Sequence, residues 1–274
     1  MKKRLYLSLI IALALLLCAC KAEKTEVGNT IDPTKTEPVT DPPVTTAPPI
    51  ENTEPETTVP PEPQHSELYL PQYTTQQIWE YFEEIVFRME YSTGTGDISL
   101  VQKWETPLRY CIFGDPTEED LAVLNELFAQ LNTIRGFPGI YPAPEGDVGN
   151  LTISFTGRET FSANYAEILN GEDANGATQF WYYTDTNEIH TATIGYRTDL
   201  DQSMRNSILL EEVINMLGAS DTVLREDSIV YQYSDENTAL SDVDWVIMKI
   251  LYNPAIQCGM DAEDCYAVVE SLYY

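Results

Sequence analysis

The hydrophobic pattern divides the chain into three stretches. Leu5 to Leu17 is an unbroken apolar run behind the positive Lys2, Lys3 and Arg4. Residues 20–66 show neither a helical nor a strand period, so they offer no face to a core. From residue 67 onward apolar positions recur with clear periods. Ile78, Tyr81, Phe82, Ile85, Val86 and Met89 follow helical spacing and predict a helix from Thr74/Thr75 to about Met89. Ile98–Trp104 and Leu108–Phe113, rich in β-branched and aromatic residues, predict two strands. Thr117 followed by Glu-Glu-Asp120 is a capping signal for a helix that carries Leu121, Leu124, Leu127, Phe128 and Leu131 on one stripe. A Gly/Pro loop leads to a strand at Leu151–Phe155. Phe180–Thr184 and Glu188–Tyr196 then predict an antiparallel pair around Asp185-Thr186-Asn187. Three helices close the chain, over about Gln202–Leu217, Ser241–Leu251 and Asp261–Leu272. Helices and strands are partly segregated, which predicts an α+β domain with a mixed sheet and packed helices.

Composition then changes the picture. Positive residues, a short apolar run and Leu17-Cys18-Ala19-Cys20 have signal-peptide anatomy, and the run is too short to span a membrane comfortably. Leu at −3, Ala at −1 and Cys at +1 resemble a bacterial lipobox. Residues 1–19 therefore read as a lipoprotein signal peptide with Cys20 as the lipidated residue, and the membrane becomes a partner through the acyl chains. Eleven of the 17 prolines fall between Pro33 and Pro71, mixed with Thr and Glu. This makes 20–66 a linker of extended, polyproline-rich character. Lipobox and stalk together predict a lipid-anchored protein on the outer face of a cell membrane, with a Gram-positive composition.

Charge excludes several functions. The chain carries 44 Asp and Glu against 15 Lys and Arg, a net charge of −29. Residues 67–274 hold 35 of the acids and nine of the bases, so about −26 belongs to the globular domain. Such a surface repels nucleic acid. Only His65 and His190 are present, so a zinc site built from three histidines is impossible. No cofactor is implied. Scattered carboxylates of this kind usually form a solvated face.

Three later stretches carry a resemblance. Trp104-Glu-Thr-Pro-Leu-Arg-Tyr110 precedes a helix and a strand. Leu209-Leu-Glu-Glu-Val-Ile-Asn-Met-Leu-Gly218 follows, then Asp227-Ser-Ile-Val-Tyr231 and a helix ending Leu251-Tyr252. Together they resemble the matrixin-like branch of the metzincin metalloproteases, in which a strand, a helix and further strands precede a helix with the H-E-x-x-H zinc motif. A glycine, a third ligand, a Met-turn and a last helix follow in that family. The resemblance is closer to a family of secreted bacterial proteins classed as a domain of unknown function, with Glu-Glu-x-x-Gln-x-Leu-Gly and a Leu-Tyr-x-Pro…Gly-Met tail. Leu251-Tyr-Asn-Pro254 and Gly259-Met260 fit that tail. The resemblance implies a single zincin-like domain over 67–274. It places Glu211 and Asn215 at the two helix ligands, Glu212 at the catalytic Glu, Asp221 at the third ligand and Val230 at the turn Met.

That substitution pattern leaves a general base position without histidine ligands. Glu211, Asn215 and Asp221 would form an all-oxygen set, weak for zinc and closer to the taste of calcium or magnesium. The same side chains could equally tie the helix to neighbouring loops, since Glu212 shares a stripe with Ile208 and Met216 and needs a buried partner. The resulting expectation is a pseudo-metalloprotease that binds an extracellular peptide, protein or wall component. The alternative is a hydrolase using Glu212 with an unusual metal or none, and the sequence leaves enzymatic activity open. His190 could pair with Glu212 across the strand face. Cys258 and Cys265 lie close in sequence and face an oxidising exterior, which allows a disulfide, with Cys111 left as a buried strand thiol. The aromatic run Phe180-Trp-Tyr-Tyr183 could line a peptide or sugar groove.

Overall fold

A five-stranded mixed sheet organises the domain. The computed structural model describes residues 65–87, 100–169 and 173–274, and His65–Tyr274 forms one compact unit. The signal peptide, Cys20 and all but the last two residues of the linker lie outside the described residues. The strands are β1 (Leu108–Gly114), β2 (Ile140–Pro142), β3 (Leu151–Thr156), β4 (Gly176–Tyr182) and β5 (Ile189–Arg197). Their order across the sheet is β2-β1-β3-β5-β4. The first four run parallel, and β4 returns antiparallel at one edge. In central β3, Leu151, Ile153 and Phe155 are buried, while Thr152, Ser154 and Thr156 are half-buried. That alternation is the mark of a sheet covered heavily on one face and lightly on the other.

The heavy face carries helices α2 (Glu118–Leu131) and α5 (Gln202–Met216). The light face carries α3 (Arg158–Asn164) and α4 (Ala166–Leu169), where Phe161, Tyr165, Leu169 and Ala177 make a small separate core. Helix α1 (Thr75–Phe87) packs against α6 (Asp242–Leu251) and α7 (Ala262–Tyr273). The expected α+β class is therefore observed.

Helix starts follow the sequence signals. Thr117 and Asp120 form a reciprocal capping box at α2, and Ser241 and Asp244 do so at α6. Both acids then act in tertiary structure. Asp120, fully buried, pairs with Arg205 of α5 and accepts from Gln202 Nε2 at 2.7 Å. Asp244 accepts from Ser228 Oγ at 2.7 Å, the Ile229 amide at 3.0 Å and Arg225 Nη1 at 3.3 Å. Within the stretch expected to act as a Met-turn, 227–231, residues 228–230 are thus buried and the turn is seated on the N-terminus of α6.

Several elements depart from expectation. The strand over Ile98–Trp104 does not form within the described part of that range. Residues 100–104 are irregular, and Lys103 alone makes an isolated bridge to Glu188. Their apolar and aromatic character serves burial instead of pairing, since Trp104 Nε1 donates to the Met216 carbonyl at 2.9 Å. Conversely, β2 emerges from the expected Gly/Pro loop, and α3 and α4 occupy a stretch with no helical signal. β4 begins at Gly176, four residues ahead of the expected Phe180, and bulges between Trp181 and Tyr182.

Candidate functional site

Helix α5 brings the motif positions together. Asp201 caps it by accepting from the Met204 amide at 3.0 Å. Buried residues lie on most of its circumference, because it is wedged between the sheet and α2. It ends at Leu217, and Gly218 follows in the left-handed region with φ +94. A Cβ at Gly218 would sit 2.1 Å from the Gln102 carbonyl oxygen, so glycine lets the irregular 100–104 segment cross the helix end.

Glu212 faces β4. It is 8% exposed. Gly176, the first residue of β4, lies so close that a Cβ there would be 2.5 Å from Glu212 Oε1 and 2.5 Å from Ile208 Cγ2. Thr178 Oγ1 donates to the Glu212 carbonyl at 2.9 Å and ties strand to helix. Burial pushes the Glu212 carboxyl up to about 8, opposed by the Thr178 hydroxyl and reinforced by the negative charges of Asp221 and Asp235. Near neutral pH, Glu212 is therefore mainly a protonated acid.

The neighbouring positions form a hydrogen-bonded group. Asn215 Nδ2 donates to Asp221 Oδ1 at 3.3 Å, and Asp221 is buried. Asn215 Oδ1 is enclosed and makes no hydrogen bond. Glu211 is half-buried one residue before Glu212. Asn175 Nδ2 donates to Asp235 Oδ2 at 3.0 Å, which anchors the start of β4. Arg197, 6% exposed, locks the same corner through Asp199 at 2.8 Å and the Asn175 side chain at 3.2 Å. Sequence reasoning missed Asn175, Gly176, Thr178, Arg197 and Asp235. Each acts through a tertiary approach that leaves no local signal.

The donor set does not fit zinc. Among the described residues no three His, Cys, Asp or Glu side chains converge as a metal group. The helix ligand positions, Glu211 and Asn215, present a carboxyl group and an amide, where zinc sites rely mainly on nitrogen and sulfur donors.

The other expected partners stand apart. His190 lies on β5, six residues before Tyr196, the partner of Gly176. At strand rise this separates it from Glu212 by about 20 Å. His190 stacks instead on Tyr183, with centroids 4.2 Å apart, and its Nδ1 is 3.0 Å from Thr191 Oγ1. Cys258 and Cys265 are thiols in this structure. Cys258 Sγ donates to the Lys103 carbonyl at 3.4 Å, and Cys265, on α7, is buried in the main hydrophobic core. Burial holds the Cys265 thiol up to about 12. Cys111 is half-buried, not fully buried as expected, because β1 leaves it beside Asp147, whose carbonyl accepts from its thiol at 3.1 Å. Trp181, Tyr182 and Tyr183 end the edge strand at 42%, 39% and 50% exposure, so most of the aromatic run faces solvent.

An α+β domain with a buried glutamate under an edge strand is the class that fold and site define. Residues 75–271 match the model of a family described as a protein of unknown function, DUF2927. The chain belongs to that family. No curated protein and no solved structure matches it.

Proposed function

We propose that this is a lipid-anchored cell-surface protein whose zincin-like domain binds an extended peptide segment without cleaving it. The observation that carries the reading is the edge strand β4. An edge strand offers a row of main-chain donors and acceptors on which an extended segment can pair. Here that strand is pinned at its start by Arg197 and Asp235, ends in exposed Trp181 and Tyr182, and is followed by exposed Tyr183. Rings of this kind supply large contact area at small conformational cost.

The order β1, α2, β2, β3, α3, α4, β4, β5, α5, Gly218 and α6 supports a zincin-like ancestry, since strands and a helix precede the motif helix and a last helix follows its glycine, with β2, α3 and α4 as additions to the metalloprotease pattern. The state of Glu212 supports loss of metal-dependent cleavage. Burial raises its carboxyl to about 8, and among the described residues no three His, Cys, Asp or Glu side chains converge around it. The Leu17-Cys18-Ala19-Cys20 sequence supports the lipid anchor.

Calorimetric titration of the full chain with a library of unstructured peptides tests the binding. Saturable binding that Trp181→Ala and Tyr182→Ala weaken by about tenfold or more agrees with loss of an aromatic anchor. Binding unchanged in both variants would sink the reading. One observation favours a second reading: a buried carboxyl with a pKa of about 8 is a competent general acid. Hydrolysis of any library peptide, abolished by Glu212→Gln, would establish that hydrolase instead.

A further inference from the structure

A cleft of about 730 Å³ opens between the β4–β5 turn, residues 103–105 and the loop after α6. Its volume is that of a small-molecule or side-chain site. None of the residues around Glu212 lines it. The walls are fixed. Asn187, at φ +60, donates its amide to the Tyr183 carbonyl at 2.7 Å, and Ile189 N donates to the Lys103 carbonyl at 2.9 Å. The same carbonyl accepts from Cys258 Sγ, which joins the third wall.

The charges inside are unbalanced. Lys103 is 5% exposed, and its Nζ donates to the Leu251 carbonyl at 3.1 Å and the Ile256 carbonyl at 2.5 Å. That ammonium is turned into the protein at the end of α6. Glu105 and Asp185 line the cleft and are exposed. Neither has an ion-pair partner among the described residues. Asn187 and Gln257 add neutral acceptors. Burial first, then the neighbouring Glu105 carboxylate, pushes the Cys258 thiol up to about 11, so it is a neutral wall and not a thiolate.

We propose that this cleft binds a cationic organic group, a primary amine or guanidinium carried by a basic peptide, through Glu105 and Asp185. The site shares no residue with the β4 edge and stands or falls independently of the peptide reading above.

Calorimetric titration of the full chain at low salt with acetyl-Lys-Lys-Lys-amide tests it. Saturable one-site binding is expected, and the double substitution Glu105→Gln/Asp185→Asn should weaken it about tenfold. The control Glu263→Gln/Glu270→Gln removes the same charge from exposed positions on α7. It should change affinity by no more than about twofold, and the same peptide acetylated on its side chains should not bind. Equal losses in the two double variants would show a general response to net charge and overturn the proposal. So would the absence of saturation below about 10 mM.

Discussion

Glu212 holds its proton because the fold gives its charge nowhere to go. It is 92% buried, it sits under Gly176, and Asp221 and Asp235 add negative potential. The linkage sign follows from the direction of the shift. An acid whose folded pKa lies above its unfolded value favours the folded state least once the unfolded chain has ionised. The group is neutral in both states below about 4.5, so it has no effect there. Between about 4.5 and about 8 the unfolded chain ionises and the folded one does not. Stability from this residue then falls by about 1.4 kcal/mol per pH unit and levels off above the folded pKa. Glu212→Gln keeps the shape and removes the titration. The difference in denaturant stability between variant and wild type should therefore grow in the variant's favour from pH 5 to pH 8. Parallel pH profiles would show that Glu212 is ionised in the native state. A second residue-scale prediction concerns Gly176. An added methyl group must displace Ile208 or the Glu212 carboxyl, so Gly176→Ala should destabilise by about 1–3 kcal/mol in chemical denaturation. An unchanged midpoint would mean that β4 rides higher above α5 than described.

At the scale of elements, one buried ion pair fastens α2 to α5. Asp120 caps its own helix, accepts from the Thr117 amide at 2.7 Å and pairs with Arg205 from the other helix. Asp120→Asn would leave the Arg205 guanidinium, 7% exposed, without its counter-charge. Removing one partner of a buried pair typically costs about 3–5 kcal/mol. The urea midpoint should fall accordingly, while Arg205→Met combined with Asp120→Asn should recover part of the loss. A single-variant loss under about 1 kcal/mol would place this pair in the surface class. The same residues show what was legible in the chain. Thr117-x-x-Asp120 and Ser241-x-x-Asp244 announced two helix starts because a capping box is a local arrangement. Glu212 stood out because a charged side chain interrupted the stripe of Ile208 and Met216. Gly176 gave no such signal. Its role is a close approach between elements 36 residues apart in sequence, and β-strand ends follow tertiary pairing more than local preference. The irregular 100–104 segment misled for the same reason. Buried Lys103 and Trp104 satisfy helix ends, a task that imitates the composition of a strand.

For the whole molecule, the proposed surface location sets an electrostatic condition on an acidic domain. About −26 on residues 67–274 would repel a bilayer rich in anionic lipid. No helix among the described residues is long and apolar enough to cross a membrane. The proposed anchor at Cys20, in the N-terminal segment, would supply that retention. A single acyl chain gives marginal binding, whereas two or three hold a protein stably against such repulsion. Cys20→Ser would remove the atom proposed to carry the acyl chain while changing neither charge nor the globular domain. Expressed in a bacterium that processes lipoproteins and fed a labelled fatty acid, the wild-type chain should take up label and sediment with membranes. The Cys20→Ser chain should take up none, and Cys18→Ser should behave as wild type, since Leu17 ahead of Cys18 breaks the small-residue requirement. Equal label in wild type and Cys20→Ser would place the acyl chain elsewhere. Membrane retention of an unlabelled Cys20→Ser chain would assign the anchor to the uncleaved apolar run at Leu5–Leu17, and the linker would then begin from a spanning or embedded segment instead of from a lipid.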